Sequence, residues 1–230
     1  LVSCDDVLDQ SPVTQLDPAD YMVSEANALV ALNGTYNCLR AMNAGREYYI
    51  DYPCMTDEMY NYSRYQHTQE FGQGSHSSSR KNYQGVENAN IVLYYLDACY
   101  NDKSATSTIK ERIRGEAYFL RAFFYADLID FYGDVPLYLA PNDLQSVAPR
   151  EAKDKVFDQI IEDLDSAIVR LPISYSVDNV GRATLGAALA LKGKVLLYNK
   201  KYSEAAVELK KVIDLKGTDG GDRYDIFKTN

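Results

Sequence analysis

The sequence predicts an all-α protein, a superhelix of stacked helices with long irregular loops. Three observations carry that prediction. Apolar residues recur three or four positions apart in successive segments, which puts them on one face of a helix. No run of alternating apolar and polar residues competes for a strand assignment. The last two segments repeat the small-residue spacing of two helices that cross closely.

The elements follow in order. Residues 5–24 are polar and carry Asp17-Pro18, and 1–24 as a whole are expected to form a tether ahead of the folded body. From Leu29 the spacing turns helical, through Leu32, Tyr36 and Leu39. Residues 46–84 lose the period and hold Pro53, Gly72, Gly74 and the run Ser75-His76-Ser77-Ser78-Ser79. Loops longer than about 15 residues are usually functional or disordered, so this segment is the expected ligand-side loop. Helical spacing returns at Val86, Ala89, Leu93, Leu96 and Tyr100. It is clearest through Ile109, Ile113, Ala117, Leu120, Phe124, Leu128 and Phe131, with Gly133 and Pro136 as the stop.

A fourth helix carries Val156, Ile160, Leu164, Ala167 and Leu171 ahead of Pro172. The fifth and sixth are expected over 183–198 and 203–215, before Gly217 and Gly220-Gly221. Leu189, Gly193, Leu196, Tyr202, Ala205, Leu209 and Val212 sit at the offsets of a tetratricopeptide (TPR) repeat. Such a hairpin cannot bury its own apolar face, so neighbours must stack on it. The folded body is therefore expected over 25–216.

Composition narrows the function. The chain has 230 residues, 46% apolar and 25% charged, with a net charge of −9. Its acidity gives nucleic acid little to bind, because that binding rests on Lys and Arg neutralising phosphates. The densest basic stretch, 110–121, alternates with Glu111 and Glu116 and reads as a solvated helix face. No stretch approaches the roughly 20 apolar residues that span a bilayer. Leu1-Val2-Ser3-Cys4 followed by Asp5-Asp6 looks like the tail of a lipoprotein signal, in which the Cys4 thiol is acylated; a stray N-terminal cysteine is the other reading. Cys38, Cys54 and Cys99 lack the short spacing of a zinc knuckle and read as single buried cysteines.

Catalytic signatures are not found. Gly72-Gln73-Gly74 lacks the strand and helix that flank a phosphate-binding loop. His67 and His76 have no carboxylate-rich helix beside them, and Ser75-His76 has no nucleophile elbow. Asp127 and Asp130 share a helix face and read as solvated charges. The expectation is a non-enzyme without metal or cofactor.

Tyrosine is the strongest intrinsic signal: 20 Tyr stand beside 7 Phe and no Trp. Tyr36, Tyr95, Tyr118 and Tyr125 lie at helical spacing and are expected to pack between helices with the hydroxyl reaching an edge. Tyr48, Tyr49, Tyr52, Tyr60, Tyr62 and Tyr65 crowd the long loop instead. Tyr60, Tyr62 and Tyr65 interleave with Asn61, Ser63, Arg64 and Gln66. Rings can stack on the C–H face of a sugar while amides and a guanidinium bond its hydroxyls. The same set can clamp an extended peptide, or cement the loop to the helices. Tyr60, Asn61, Tyr62, Arg64 and Tyr65 are the candidate ligand residues.

Arg114-Gly115-Glu116-Ala117-Tyr118-Phe119-Leu120-Arg121-Ala122, continuing through Phe123-Phe124-Tyr125 to Tyr132-Gly133-Asp134-Val135-Pro136-Leu137, resembles the signature helix and turn of the SusD/RagB lipoproteins. Thr56-Asp57-Glu58, the stretch 83–90, Asp163-Leu164 with Ala167, and Gly181-Arg182-Ala183-Thr184 match in the family's order. The resemblance covers nearly all of the chain and corresponds to the family's N-terminal, TPR-bearing portion, with 217–230 as the start of a C-terminal portion. It implies a Bacteroidetes outer-membrane protein, anchored at the cell surface by lipid on Cys4, that binds an oligosaccharide. It also implies that the helical face caps a TonB-dependent (SusC-like) transporter. RagB-like relatives suggest an oligopeptide in the same lid role, and a TPR-like scaffold without small ligand is the remaining alternative.

Overall fold

The computed structural model describes residues 21–42, 78–98, 107–141, 148–217, 220, 221, 223 and 224. Among these are six α-helices: α1 (Glu25–Met42), α2 (Ser78–Ala98), α3 (Ser107–Tyr132), α4 (Lys153–Ile168), α5 (Leu185–Tyr198) and α6 (Tyr202–Ile213). A single 3-10 turn, Val177–Asn179, lies between α4 and α5. Each helix packs on the next, and α3 also packs on α1 and α5, which is the neighbour-on-neighbour order of a TPR-like superhelix. Helices α2 and α3 run antiparallel, because Asn82, Asn90 and Asp97 meet Asp127, Arg121 and Arg114 in turn. The α3–α4 pair is likewise antiparallel, through Arg121–Asp163 and Glu111–Arg170.

Helix α3 is the axis of the core. Ile113, Ala117, Leu120, Phe124 and Leu128 are fully buried on the spacing read from the sequence, against Leu32, Val86, Val92, Leu96, Ile160 and Leu164. Glycine lets α2 come close: a Cβ on Gly85 would stand 2.3 Å from the Phe124 ring. The α3 helix ends at Gly133, whose φ of 68° lies in the left-handed region that a side chain disfavours. Thr184 caps α5, its hydroxyl accepting from Ala187 N at 3.3 Å. The α5–α6 hairpin closes as the TPR spacing requires, with the place of a Gly193 Cβ 2.5 Å from Leu209 and Ala205 buried.

Two boundaries shift. The expected loop 46–84 is shorter at its C-terminal side, because α2 begins at Ser78. Asn82 and Val86 are buried on its inner face, so the serine-rich run leads into a helix that packing holds. The tether expected over 1–24 ends earlier, since Met22 is buried in the core. Asn27 also donates to Tyr21 O at 2.6 Å, and Ser24 Oγ accepts from Asn27 N. Beyond α6, Arg223 N donates to Leu215 O and the Tyr224 ring covers Gly186.

Candidate functional site

The residues singled out for ligand contact, Tyr60, Asn61, Tyr62, Arg64 and Tyr65, lie outside the described residues. So do Cys4, Cys54, Cys99, His67 and His76. Described structure does show what holds the frame at the exit of that segment. Residues 43–77 lead into the N-terminal end of α2, and that end lies beside the turn that follows α3.

This turn, 133–141, is bound to the helices on every side. Val135 and Glu151 exchange both backbone hydrogen bonds, at 3.2 and 3.0 Å. Arg150 donates to Tyr132 O and Asp134 O, satisfying carbonyls that the end of α3 leaves open. Helix α4 starts after Ala152, which has no side chain to cap it; Asp134 Oδ1 accepts from Lys153 N at 2.9 Å and does so from across the turn. Tyr83 donates to Pro136 O at 3.0 Å. The Tyr125 hydroxyl donates to Tyr138 O and accepts from Tyr138 N at 2.7 Å. Burial pushes the phenols of Tyr83 and Tyr125 well above their ordinary pKa, so both remain donors at any physiological pH.

Behind the turn sits a buried ion pair. Arg121 donates from Nε and Nη2 to the two carboxylate oxygens of Asp163, at 2.8 and 2.7 Å. Arg121 is 6% exposed and Asp163 is 1% exposed. Nη1 of Arg121 donates to Asn90 Oδ1 at 2.9 Å, and Asn90 Nδ2 donates onward to Tyr138 O and Ala140 O. Burial by itself would lower the Arg121 pKa, but the Asp163 fork and its charge raise it above the ordinary value. One polar chain thus joins α4, α3, α2 and the turn.

A second hub lies at Glu116, which is fully buried. Its Oε2 accepts from Tyr36 at 2.8 Å and from Arg182 Nη1 at 3.1 Å. Arg112 Nε lies 3.4 Å from Oε1. Tyr36 also accepts from Ala183 N, and Arg182 reaches Asn33 and Asn179. Burial, and then the Glu116 charge, raise the Tyr36 phenol far above its usual range. The hub ties α1 and α3 to the segment entering α5.

Two expectations are corrected here. The stretch 110–121 is not a solvated face: Glu116 and Arg121 are buried, each inside a polar network that satisfies its charge. Asp127 is not simply solvated either, since it accepts from Asn82 at 2.8 Å. Asp130 is solvent-exposed, although partial burial raises its pKa above the ordinary value. The helical tyrosines agree with the reading given them: Tyr36 and Tyr125 fill helix contacts with bonded hydroxyls, and Arg121 and Arg170 flank the Tyr118 ring at 5.6 and 5.8 Å. Cys38 is buried, as expected, and its thiol donates to Gly34 O.

The sequence pattern held a signal for the missed pair. Arg121 lies four residues from Ala117 and three from Phe124, on the apolar period itself. Among the described residues, no group of three His, Cys, Asp or Glu is placed to hold a metal, and no helix is long and apolar enough to cross a membrane.

Comparisons place this frame among known proteins. Residues 8–197 match the model of the SusD-like family described as starch-binding and associating with the outer membrane. SusD-like protein P25 of Formosa agariphila is 24% identical over 248 aligned positions, covering 99% of this chain and 46% of P25. SusD-like protein P38 of the same organism is 24% identical, covering 93% of this chain and 42% of P38. The chain therefore spans about half the length of the curated relatives it matches. Among solved structures, surface glycan-binding protein A from Bacteroides uniformis superposes with a TM-score of 0.71 at 24% identity, covering 83% of this chain and 46% of that one. A laminarin-binding SusD-like protein gives 0.69 at 26% identity, covering 85% and 45%. The family match over 8–197 runs through helices α1 to α5, and the chain belongs to the SusD-like family.

Proposed function

We propose that this chain is the helical portion of a cell-surface, lipid-anchored glycan-binding protein that captures oligosaccharide and passes it to a TonB-dependent (SusC-like) outer-membrane transporter. The observation that carries the reading is the family match over 8–197, a family described as starch-binding and associating with the outer membrane. The reading assigns ligand contact to Tyr60, Asn61, Tyr62, Arg64 and Tyr65 and lipidation to Cys4. It divides the chain into a tether, a helical body that already includes Met22 and runs to 216, the ligand-side segment within it and the start of a further portion at 217–230. The role is binding rather than catalysis, without metal or cofactor. Two structural relatives carry names that specify a glycan, one of them laminarin, so laminarin oligosaccharides belong in the first panel.

Calorimetry and affinity electrophoresis against a broad oligosaccharide panel test the proposal. Binding of at least one glycan is expected, and it should be lost in Tyr60→Ala, Tyr62→Ala and Tyr65→Ala combined. A panel with no binder removes the sugar reading. Peptides co-purifying with the protein, identified by mass spectrometry, would put an oligopeptide in the same role.

A further inference from the structure

Helices α4, α5 and α6 leave a groove between them with a volume of about 600 Å³. Its floor is apolar: Phe157 and Ile161 come from α4, Leu196 from α5 and Val207 from α6. Val207 is 59% exposed although it faces these side chains. The lining also carries acids from both helices, Asp158 and Glu162 on α4 and Glu204 and Glu208 on α6.

The charges there are unevenly matched. Lys192 is already engaged by Asp165 and Glu208, and Lys211 bonds Glu208 through both oxygens. Among the described residues, Asp158, Glu162 and Glu204 have no ion-pair partner. Lys201 stands at the α5–α6 turn and is the groove's remaining cation. The lining residues of α4 span 157–162 and those of α6 span 204–208, about 6 to 8 Å at a helical rise of 1.5 Å per residue, or between one and two turns of a helix.

An apolar floor of that length lined with acids from two helices selects one kind of occupant. We infer that the α4–α6 groove docks a basic amphipathic helical segment of a partner protein. Two or three aliphatic side chains of the segment seat on Phe157, Ile161, Leu196 and Val207, and its Lys or Arg residues meet Asp158, Glu162 and Glu204. Helix-in-groove recognition places such anchors at i, i+3, i+4 and i+7, and adjacent anchors three or four residues apart match the length available. Charges at the rim steer the segment and exclude acidic competitors, while the floor supplies the apolar contact. The inference deepens the docking half of the proposed function and is independent of its glycan half, which rests on residues 43–77.

The test uses the full 230-residue chain and a synthetic helix of about four turns, with Leu at the i, i+4, i+7 positions and Lys on the remaining face. A twin peptide carries Glu in place of every Lys. Fluorescence anisotropy should show saturable binding of the basic peptide only, weakened as salt is raised. Asp158→Lys with Glu162→Lys should weaken it at least about tenfold, and Val207→Glu should weaken it as well. Asp130→Lys with Asp178→Lys makes the same change in net charge away from the groove and should leave binding within about twofold. Equal loss in both charge-reversed variants, or equal binding of the acidic twin, overturns the inference. So does concentration-dependent self-association of the chain that Val207→Glu abolishes, because a second copy would then be the occupant. A glycan titration on the same variants keeps the two halves of the functional reading separate.

Discussion

Helices α3 and α6 lie in the same superhelix and are held by opposite means. Helix α3 touches α1, α2, α4 and α5 and keeps two charged side chains, Glu116 and Arg121, inside the protein. Helix α6 packs chiefly on α5 and buries Ala205 and Glu208. At the centre, specificity comes from polar groups that must all be paired at once. At the end of the stack, it comes from a small residue that lets two helices meet. The contrast explains where the family signature falls. Arg121, Asp163, Asn90, Asp134 and Arg182 all place their side-chain hydrogen bonds within the frame.

Arg121→Ala should open the contrast furthest. Removing one partner of a buried pair costs about 3–5 kcal/mol, because Asp163 is left charged in the core. For a chain of this size that is a fall in Tm of roughly 10 °C or more. Replacing both partners, as Arg121→Met with Asp163→Leu, should recover much of the loss. Chemical denaturation of the single and double variants would show it; equal loss in both would mean that the pair is not what the centre depends on.

Matched glycine substitutions sharpen the same comparison. In Gly85→Ala the new methyl would meet the fully buried Phe124 ring at 2.3 Å, and overpacking of this kind costs about 1–3 kcal/mol. Gly193→Ala creates a similar clash at 2.5 Å, but with the half-buried Leu209 side chain, which can turn aside. Alanine also gains about 0.8–1 kcal/mol of helix propensity over glycine, so Gly193→Ala should be close to neutral. Thermal melts of the two variants should therefore differ clearly.

The smallest effect is electrostatic. The Arg114 hydrogen bonds hold the Asp97 carboxyl below the usual carboxylate range, the shift being lower in the folded protein. A depressed acid contributes stability above its unfolded pKa, and that stability is lost as pH falls through the folded value. Asp97 is largely exposed, so solvent screening leaves a small contribution. Asp97→Asn should lower stability slightly at pH 7 and converge with the parent chain in acid, as read by urea denaturation across pH.

Much of the fold was legible because helix spacing and stops are local. The close approach at Gly193, the buried small residue Ala205 and the Gly133 stop could all be read from nearby residues. The buried charges were not, because a two-letter apolar and polar pattern sends every charge outward. Arg121 is paid for by Asp163, 42 residues away, and by Asn90, 31 residues away, and only the fold brings them together. The start of α2 was hidden for a similar reason. Ser78 and Ser79 read as loop, while the packing of Asn82, Gly85 and Val86 on α3 keeps them helical. The tyrosine cluster was visible in the sequence alone, and its residues lie outside those described.

The division of labour between frame and loop is tested most directly by one protein with Tyr60→Ala, Tyr62→Ala and Tyr65→Ala. Glycan binding by calorimetry and thermal unfolding should be measured on the same sample. The account predicts that binding falls at least about tenfold while the melting temperature stays within about 6 °C, since three surface substitutions of less than about 0.5 kcal/mol each change stability by less than about 1.5 kcal/mol. Unchanged binding, or a large drop in melting temperature, would contradict it and make the loop tyrosines part of the core.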